Sequence, residues 1–318
     1  MSRTVSCRKQ IIYPKGKKFA FTIFDDTDKA TVERVAPVYE LLEKLGLRTT
    51  KSVWALPSEK PQIEANKGQT LNDPSYLSFI HELVHNGFEI AFHGARGGHT
   101  PRLLTVQALE LFRRELGFEP HTHANHLDNR ESLYWGTKRL NSTLPRIAYQ
   151  LATWRRGEKY EGEVPSSPYF WGDLAKELIY YVRNFVFAGI NTLAINPSLP
   201  YHDSRKPLVR YWFSSADGHD MQTFNRLLSK ANQDTLEQES GVCIVYTHFA
   251  NGFVNHGQID PTTFDLLSEL ARRPGWFVPV VELLDFLVSQ RPDSTIPSAE
   301  LRRLEWNWLW GKVRRGSS

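Results

Sequence analysis

Cysteine is nearly missing from this sequence: Cys7 and Cys243 are the only two in 318 residues. That is too few for a disulfide framework or a thiolate zinc site. Long apolar runs are missing as well. No window approaches the ~20 apolar residues that a membrane-spanning helix needs, and the opening "MSRTVSCRKQIIYPKGKKF" has no apolar core of signal-peptide length. The expectation from both absences is a reducing, cytoplasmic location. Neither sign of charge dominates, with 39 Lys+Arg against 35 Asp+Glu and a net charge of +4. Bases and acids are interspersed except near the two ends, so no positive stripe marks a nucleic-acid surface and no nucleic-acid partner is expected. There is no internal repeat and no low-complexity segment. No Gly-rich phosphate fingerprint follows the first strand candidate, which removes the best support for a nucleotide-binding sheet.

What the sequence does hold is apolar, β-rich runs alternating with helical patterns. "FAFTIF" (19–24) reads as a buried strand, and "DKATVERVAPVYELLEKLG" (28–46) as the helix after it. In that helix Val32, Val35, Val38, Leu41, Leu42 and Leu45 keep helical spacing, Gly46 stands where a C-cap would, and Pro37 implies a kink or restart. Further strands are expected at 47–56, 88–92, 118–124, 187–195, 209–213, 242–248 and 276–280, with helices at 75–87, 104–117 and about 261–273. The end, "SAELRRLEWNWLWGKVRR", reads as a terminal amphipathic helix. Such alternation without a composition break argues for one α/β layer system. We expect an N-terminal extension over 1–18, a barrel over 19–290 and a Trp-rich helical tail over 291–318. That tail could pack on the barrel, touch a membrane surface, or meet a second subunit in a homo-oligomer.

Acids and histidines collect where the strand candidates end. Asp25, Asp26 and Asp28 follow the first strand. His93 and His99 follow the third, His121, His123, Asn125 and His126 surround the fourth, and His248 ends a late one. Chemistry in α/β barrels gathers at the C-terminal strand ends. A carboxylate with two imidazoles is a common ligand set for a catalytic divalent ion that keeps an open position. A second carboxylate beside it could serve as general base.

These residues carry a resemblance. "FTIFDDTD" resembles the Thr-Phe-Asp-Asp-Gly-Pro motif of the polysaccharide deacetylases (the NodB-homology, carbohydrate esterase family 4 group). "NGFEIAFHG…H" is similar to that family's second motif, and "IVYTHF" followed by "WFVPVVELLDFL" to its closing segment. The resemblance implies an α/β fold, a distorted, incomplete (β/α)7 barrel over roughly 19–290. It implies Asp25 as catalytic base, Asp26, His93 and His99 as metal ligands, and His248 as the acid for the leaving amine. The implied cofactor is a divalent ion, zinc foremost, and the implied substrate an N-acylated sugar or glycan conjugate. Amide hydrolysis needs a nucleophile, an oxyanion stabiliser and an acid for the nitrogen, and this set supplies them. His93 and His99 stand six apart rather than four, with Gly97 and Gly98 between. "PHTHANHLDNRESLYWG" replaces the Arg-Pro-Pro motif, which makes Asn125, His126, Arg130 and Trp135 candidate substrate-binding residues.

Two other readings are available. A catalytically silent barrel could bind a carbohydrate or a protein partner. "HELVH" (81–85) matches the H-E-x-x-H helix of zinc proteases. On a helical projection, however, His81, Glu82 and His85 face away from the apolar side formed by Tyr76, Leu77, Phe79, Ile80, Leu83 and Val84, and Phe88 and Ala91 occupy the positions of a metzincin extension.

Overall fold

The computed structural model describes residues 11–127, 129–153, 159–291 and 295–315. Seven parallel strands close on themselves: β1 (Phe19–Asp25), β2 (Thr50–Val53), β3 (Glu89–Phe92), β4 (Thr122–Ala124), β5 (Tyr181–Phe187), β6 (Tyr211–Asp217) and β7 (Val242–Thr247). Closure is between β7 and β1, in register from Ala20 with Val242 to Asp25 with Thr247. All seven residues of β1 are buried, as expected for a parallel strand covered on both faces. This is the (β/α)7 barrel expected from the sequence.

The distortion lies at β1. Its upper end pairs with β2, Phe24 with Thr50 and Asp25 with Lys51. Beyond β7 a small hairpin of β8 (Val254–Asn255) and β9 (Gln258–Ile259) precedes β10 (Gly275–Phe277), which pairs with β1 from Phe19 to Phe21. Glu89 stitches the structure near this junction. Its carboxylate accepts from the Thr50 hydroxyl (2.6 Å), the Thr122 hydroxyl (2.7 Å) and the Val281 amide (3.0 Å).

The helices follow local rules. α1 (Val32–Lys44) starts at Thr31, whose side chain accepts from the Arg34 amide, and runs through Pro37 as one helix, without the expected restart. α2 (Pro74–His85) has proline in its first turn and buries Tyr76, Phe79, Ile80 and Leu83. α3 (Arg102–Leu116) stops at Gly117, whose φ of +82° suits glycine. There follow α4 (Thr143–Thr153), α5 (Gly172–Leu178), short α6 (Thr192–Ile195), α7 (Met221–Leu227), α8 (Lys230–Gln238), α9 (Pro261–Ala271), α10 (Val280–Ser289) and α11 (Ser298–Arg315). One expected element is corrected. "FAGINTLAI" is not a strand; the strand is Tyr181–Phe187 and ends where that run begins.

The described parts of both flanking segments, 11–18 and 295–315, pack on the barrel; the rest of the expected extension and tail lies outside the described residues. The Tyr13 hydroxyl donates to the carbonyls of Ser240 and Gly241, each at 2.9 Å. On α11, Trp308 is buried against Tyr149 (5.4 Å) and Phe185 (5.7 Å), while Trp310 is exposed. Buried Glu305 accepts from the backbone amides of Asn141 (2.5 Å) and Ser142 (3.1 Å). Among the described residues no helix is long and apolar enough to cross a membrane.

Candidate catalytic and metal centre

The three aspartates after β1 meet three different environments. Asp25 is fully buried, and its oxygens are taken by Lys51 Nζ (2.9 Å), the Tyr39 hydroxyl (3.1 Å) and the Phe249 amide (2.8 Å). Burial pushes this carboxyl up, and the Lys51 ammonium opposes it. Asp26 is gripped by both arms of Arg183, at 2.8 and 2.5 Å. Burial alone would raise its pKa, but Arg183, with His93 and His248 in support, leaves it lowered. Asp28 faces imidazoles. His126 Nε2 lies 3.0 Å from Oδ1, and His248 Nε2 lies 2.9 Å and His93 Nε2 3.8 Å from Oδ2.

The hydrogen-bond partners decide which ring nitrogens carry protons. Asn129 Nδ2 donates to the Arg96 carbonyl (2.8 Å) and to Glu131 Oε1 (2.7 Å), and its Oδ1 accepts from the Gly98 amide (3.0 Å). That fixes Oδ1 as an acceptor, so His126 Nδ1, 3.0 Å away, must donate to it. His248 Nδ1 likewise donates to the His219 carbonyl at 2.8 Å. Both imidazoles therefore turn Nε2 towards a carboxylate, an arrangement that needs a cation, either a proton or a metal ion, between the two. His93 adds the sharpest signal. It is 1% exposed, and among the described residues neither of its ring nitrogens has a hydrogen-bond partner. Burial lowers its pKa to about 3, which keeps the ring neutral and able to ligate. Ligand atoms of Asp26, Asp28 and His248 lie within 4.8 Å of one another, a group that could hold a metal ion. The donors present fit a divalent metal.

No protein-family model matches the sequence, and no curated protein matches it. Solved structures do. A Mycobacterium smegmatis protein assigned to the polysaccharide deacetylases aligns over 91% of this chain and 95% of its own, at 11% identity and a TM-score of 0.50. The fold is that of the polysaccharide deacetylases. Lower-scoring matches include the Puue allantoinase (11% identity, 88% of this chain and 93% of its own, TM-score 0.47). A Clostridium thermocellum family 4 acetyl xylan esterase, solved with a cobalt ion, aligns at 13% identity over 88% and 96%, with a TM-score of 0.39.

On this deacetylase-type barrel the expected site residues divide. Asp26, His93, His126 and His248 come together. Asp25 lies apart, because its side chain is consumed by the Lys51 ion pair. Among the described residues no ion-pair contact joins His99 to Asp26 or Asp28, unlike His93, His126 and His248. Gly98 does bend the loop, at φ +101°, but the bend presents its amide to Asn129, and the His99 ring meets Tyr169 edge-on (6.2 Å). Asn125 is buried, giving Nδ2 to the Leu133 carbonyl and taking the Leu133 amide on Oδ1, so it shapes its own loop. Arg130 pairs with Glu161 (2.7 Å) and lies over Tyr169; Trp135 is buried beneath the guanidinium of Arg139.

Sequence reasoning missed Arg183, Asn129 and Glu131 and gave Asp28 no role. The available signals were a charge in mid-strand and the polar run "DNRE" after His126. His81, Glu82 and His85 are all exposed on the outer face of α2. Replacing His81 and His85 with Ala should therefore leave metal content, read by mass spectrometry, at the wild-type value.

Glu131 makes a pH prediction. Burial raises its pKa to about 7 against the usual 4.5. Between those values the unfolded chain releases a proton that the folded one retains. Its contribution to stability is thus lost as pH rises through that window. Melting curves from pH 4.5 to 7.5 should show wild type losing stability with pH relative to Glu131→Gln, and parallel curves would remove this assignment.

Proposed function

We propose that this chain is a metal-dependent hydrolase that removes an acyl group from the nitrogen of an acylated sugar or glycan conjugate. The observation that carries the reading is Asp28 with the Nε2 atoms of His93, His126 and His248 turned towards it. Asp28, His93 and His126 would hold the ion, a wider set than the converging Asp26, Asp28 and His248 group, with His248 kept for proton transfer. Asp26 is less suited, since both its oxygens are already engaged by Arg183. Zinc best matches two imidazoles and a carboxylate with an open position, and when bound it would acidify a water and polarise an acyl oxygen.

The chain's own groups supply the proton transfers. Asp26, kept ionised and aimed by Arg183, accepts the proton of the attacking water. This puts the base one residue after the one the family motif implies, and Asp25 serves the core instead. His248, with Nε2 2.9 Å from Asp28, is the group placed to deliver a proton to the departing nitrogen. Its Nδ1 bond to the His219 carbonyl holds the ring in that orientation.

The test is metal analysis of purified protein, followed by assay of N-acetyl and N-formyl sugars for released acid. One divalent ion per chain, retained in Asp26→Asn while turnover falls by ~10²-fold or more, is the expected result. Protein without a stoichiometric ion, or Asp26→Asn at wild-type rate, would end the proposal.

A further inference from the structure

No residue of the catalytic cluster lines a second, two-chambered groove formed by the α4 start, the turn at 203–206 and α11. Its inner chamber, about 280 Å³, is lined by Tyr134, Lys138, Arg146, Glu163, Arg205 and Lys206. The outer one, about 430 Å³, adds Leu144, Pro145, Arg302 and Trp306; Asn141 and Arg205 line both. The outer volume lies within the range of small-ligand sites and the inner one just below it.

Positive charge in this groove exceeds its local compensation. Lys138 pairs with Glu163. Asp203, itself buried, is shared between Arg205 (3.0 Å) and Lys206 (3.2 Å). Arg146 rests its guanidinium on the Leu140 carbonyl (2.8 and 3.2 Å). Among the described residues, neither Arg146 nor Arg302 has a carboxylate within salt-bridge reach.

An independent observation lies beside the inner chamber. Lys206 Nζ donates to the carbonyl of Arg139 (3.0 Å). The Arg139 side chain is 96% buried, with its guanidinium stacked over Trp135 (3.4 Å) and near Trp308 (4.8 Å). It has no ion pair among the described residues, and its Nε has no hydrogen-bond partner. Burial lowers its pKa to about 10. Arg139 itself lines neither chamber, so it adds positive charge beside the groove without a contact to its occupant.

We propose that this groove is a second binding site, for an oxyanion carried on a single sugar: a pyranose phosphate or a uronate. The anion would sit among Arg146, Arg205 and Lys206. The sugar ring would lie in the outer chamber against Trp306, Leu144 and Pro145, with Arg302 at its edge. Arginine forks match the geometry of either oxyanion.

The test is calorimetric titration of the full-length, metal-loaded protein with inorganic phosphate, glucose 1-phosphate and glucuronate. Saturable binding of either sugar with Kd below ~1 mM, tighter than phosphate and weakened by salt, is expected. Glucose 1-phosphate alone would identify phosphate as the recognised group, and glucuronate alone the carboxylate. Arg205→Ala with Arg302→Ala, both at exposed positions and checked for an unchanged melt, should weaken binding by ~10-fold or more, while Asp28→Asn should leave it unchanged. No saturation by any probe at ~10 mM, undiminished binding in the double variant, or loss of binding in Asp28→Asn would each overturn the proposal.

Discussion

Lys51→Met is expected to cost ~3–5 kcal/mol of folding stability, the usual result of stripping one partner from a buried ion pair. Both side chains of the Lys51–Asp25 pair are 0% exposed, with Nζ 2.9 Å from Oδ2. Without the ammonium, Asp25 keeps, among the described residues, the Tyr39 hydroxyl and the Phe249 amide as donors. Two hydrogen bonds do not offset a carboxylate charge out of reach of water. Since domains are typically stable by ~5–15 kcal/mol, the loss would be a large fraction of the whole. Asp25→Asn combined with Lys51→Met removes both charges and should recover most of it. Urea unfolding of the single and double variants measures this. A Lys51→Met protein within ~0.5 kcal/mol of wild type would mean that the pair is not the buried charge lock described. The same series bears on function. If Asp25 serves the core, the double variant still binds one metal ion per chain and turns over.

Asp28→Asn should have the opposite profile, with metal and activity gone and the fold kept. An amide at this position keeps the shape but loses the negative charge that three imidazoles face. It also presents, in one orientation, an N–H where a cation would sit. Metal affinity should drop by more than the ~10–100-fold that loss of an outer partner produces. Asn129→Ala supplies that smaller reference value, because Asn129 sets the tautomer of His126 without reaching Asp28 itself. Competition with a chromophoric chelator ranks the variants. Equal affinity in Asp28→Asn and wild type would move the metal away from Asp28.

Much of the barrel was legible because its signals are local and repeated. "FAFTIF" is apolar at every position but one, α2 and α3 keep helical spacing, and α11 coincides with the amphipathic stretch expected of it. β5 was not legible because its middle, Arg183 and Asn184, is polar. Those residues are tolerated inside only because Asp26 and the Tyr201 hydroxyl, distant in sequence, receive them. The site divides in the same way. The strand-end histidines showed themselves by position, but which of the three aspartates in residues 25–28 faces the core and which the imidazoles depends on partners brought in from β2, β5 and the loop after β7. His99 failed to join for a similar reason: the glycines that could bend its loop do so for Asn129.

The way β1 closes the barrel also sets a timetable for synthesis. Its partners on one side are residues 242–247, and at its foot residues 275–277. At ~5–20 residues per second, a ribosome needs roughly 10–45 s after making β1 to deliver β7. Through that interval the nascent chain carries an apolar, β-prone segment whose edge has no native neighbour, the kind of strand that recruits other chains. Aggregates seeded through residues 19–24 should therefore rise with the concentration of nascent chains and with slower elongation, which lengthens the interval before residues 242–247 arrive.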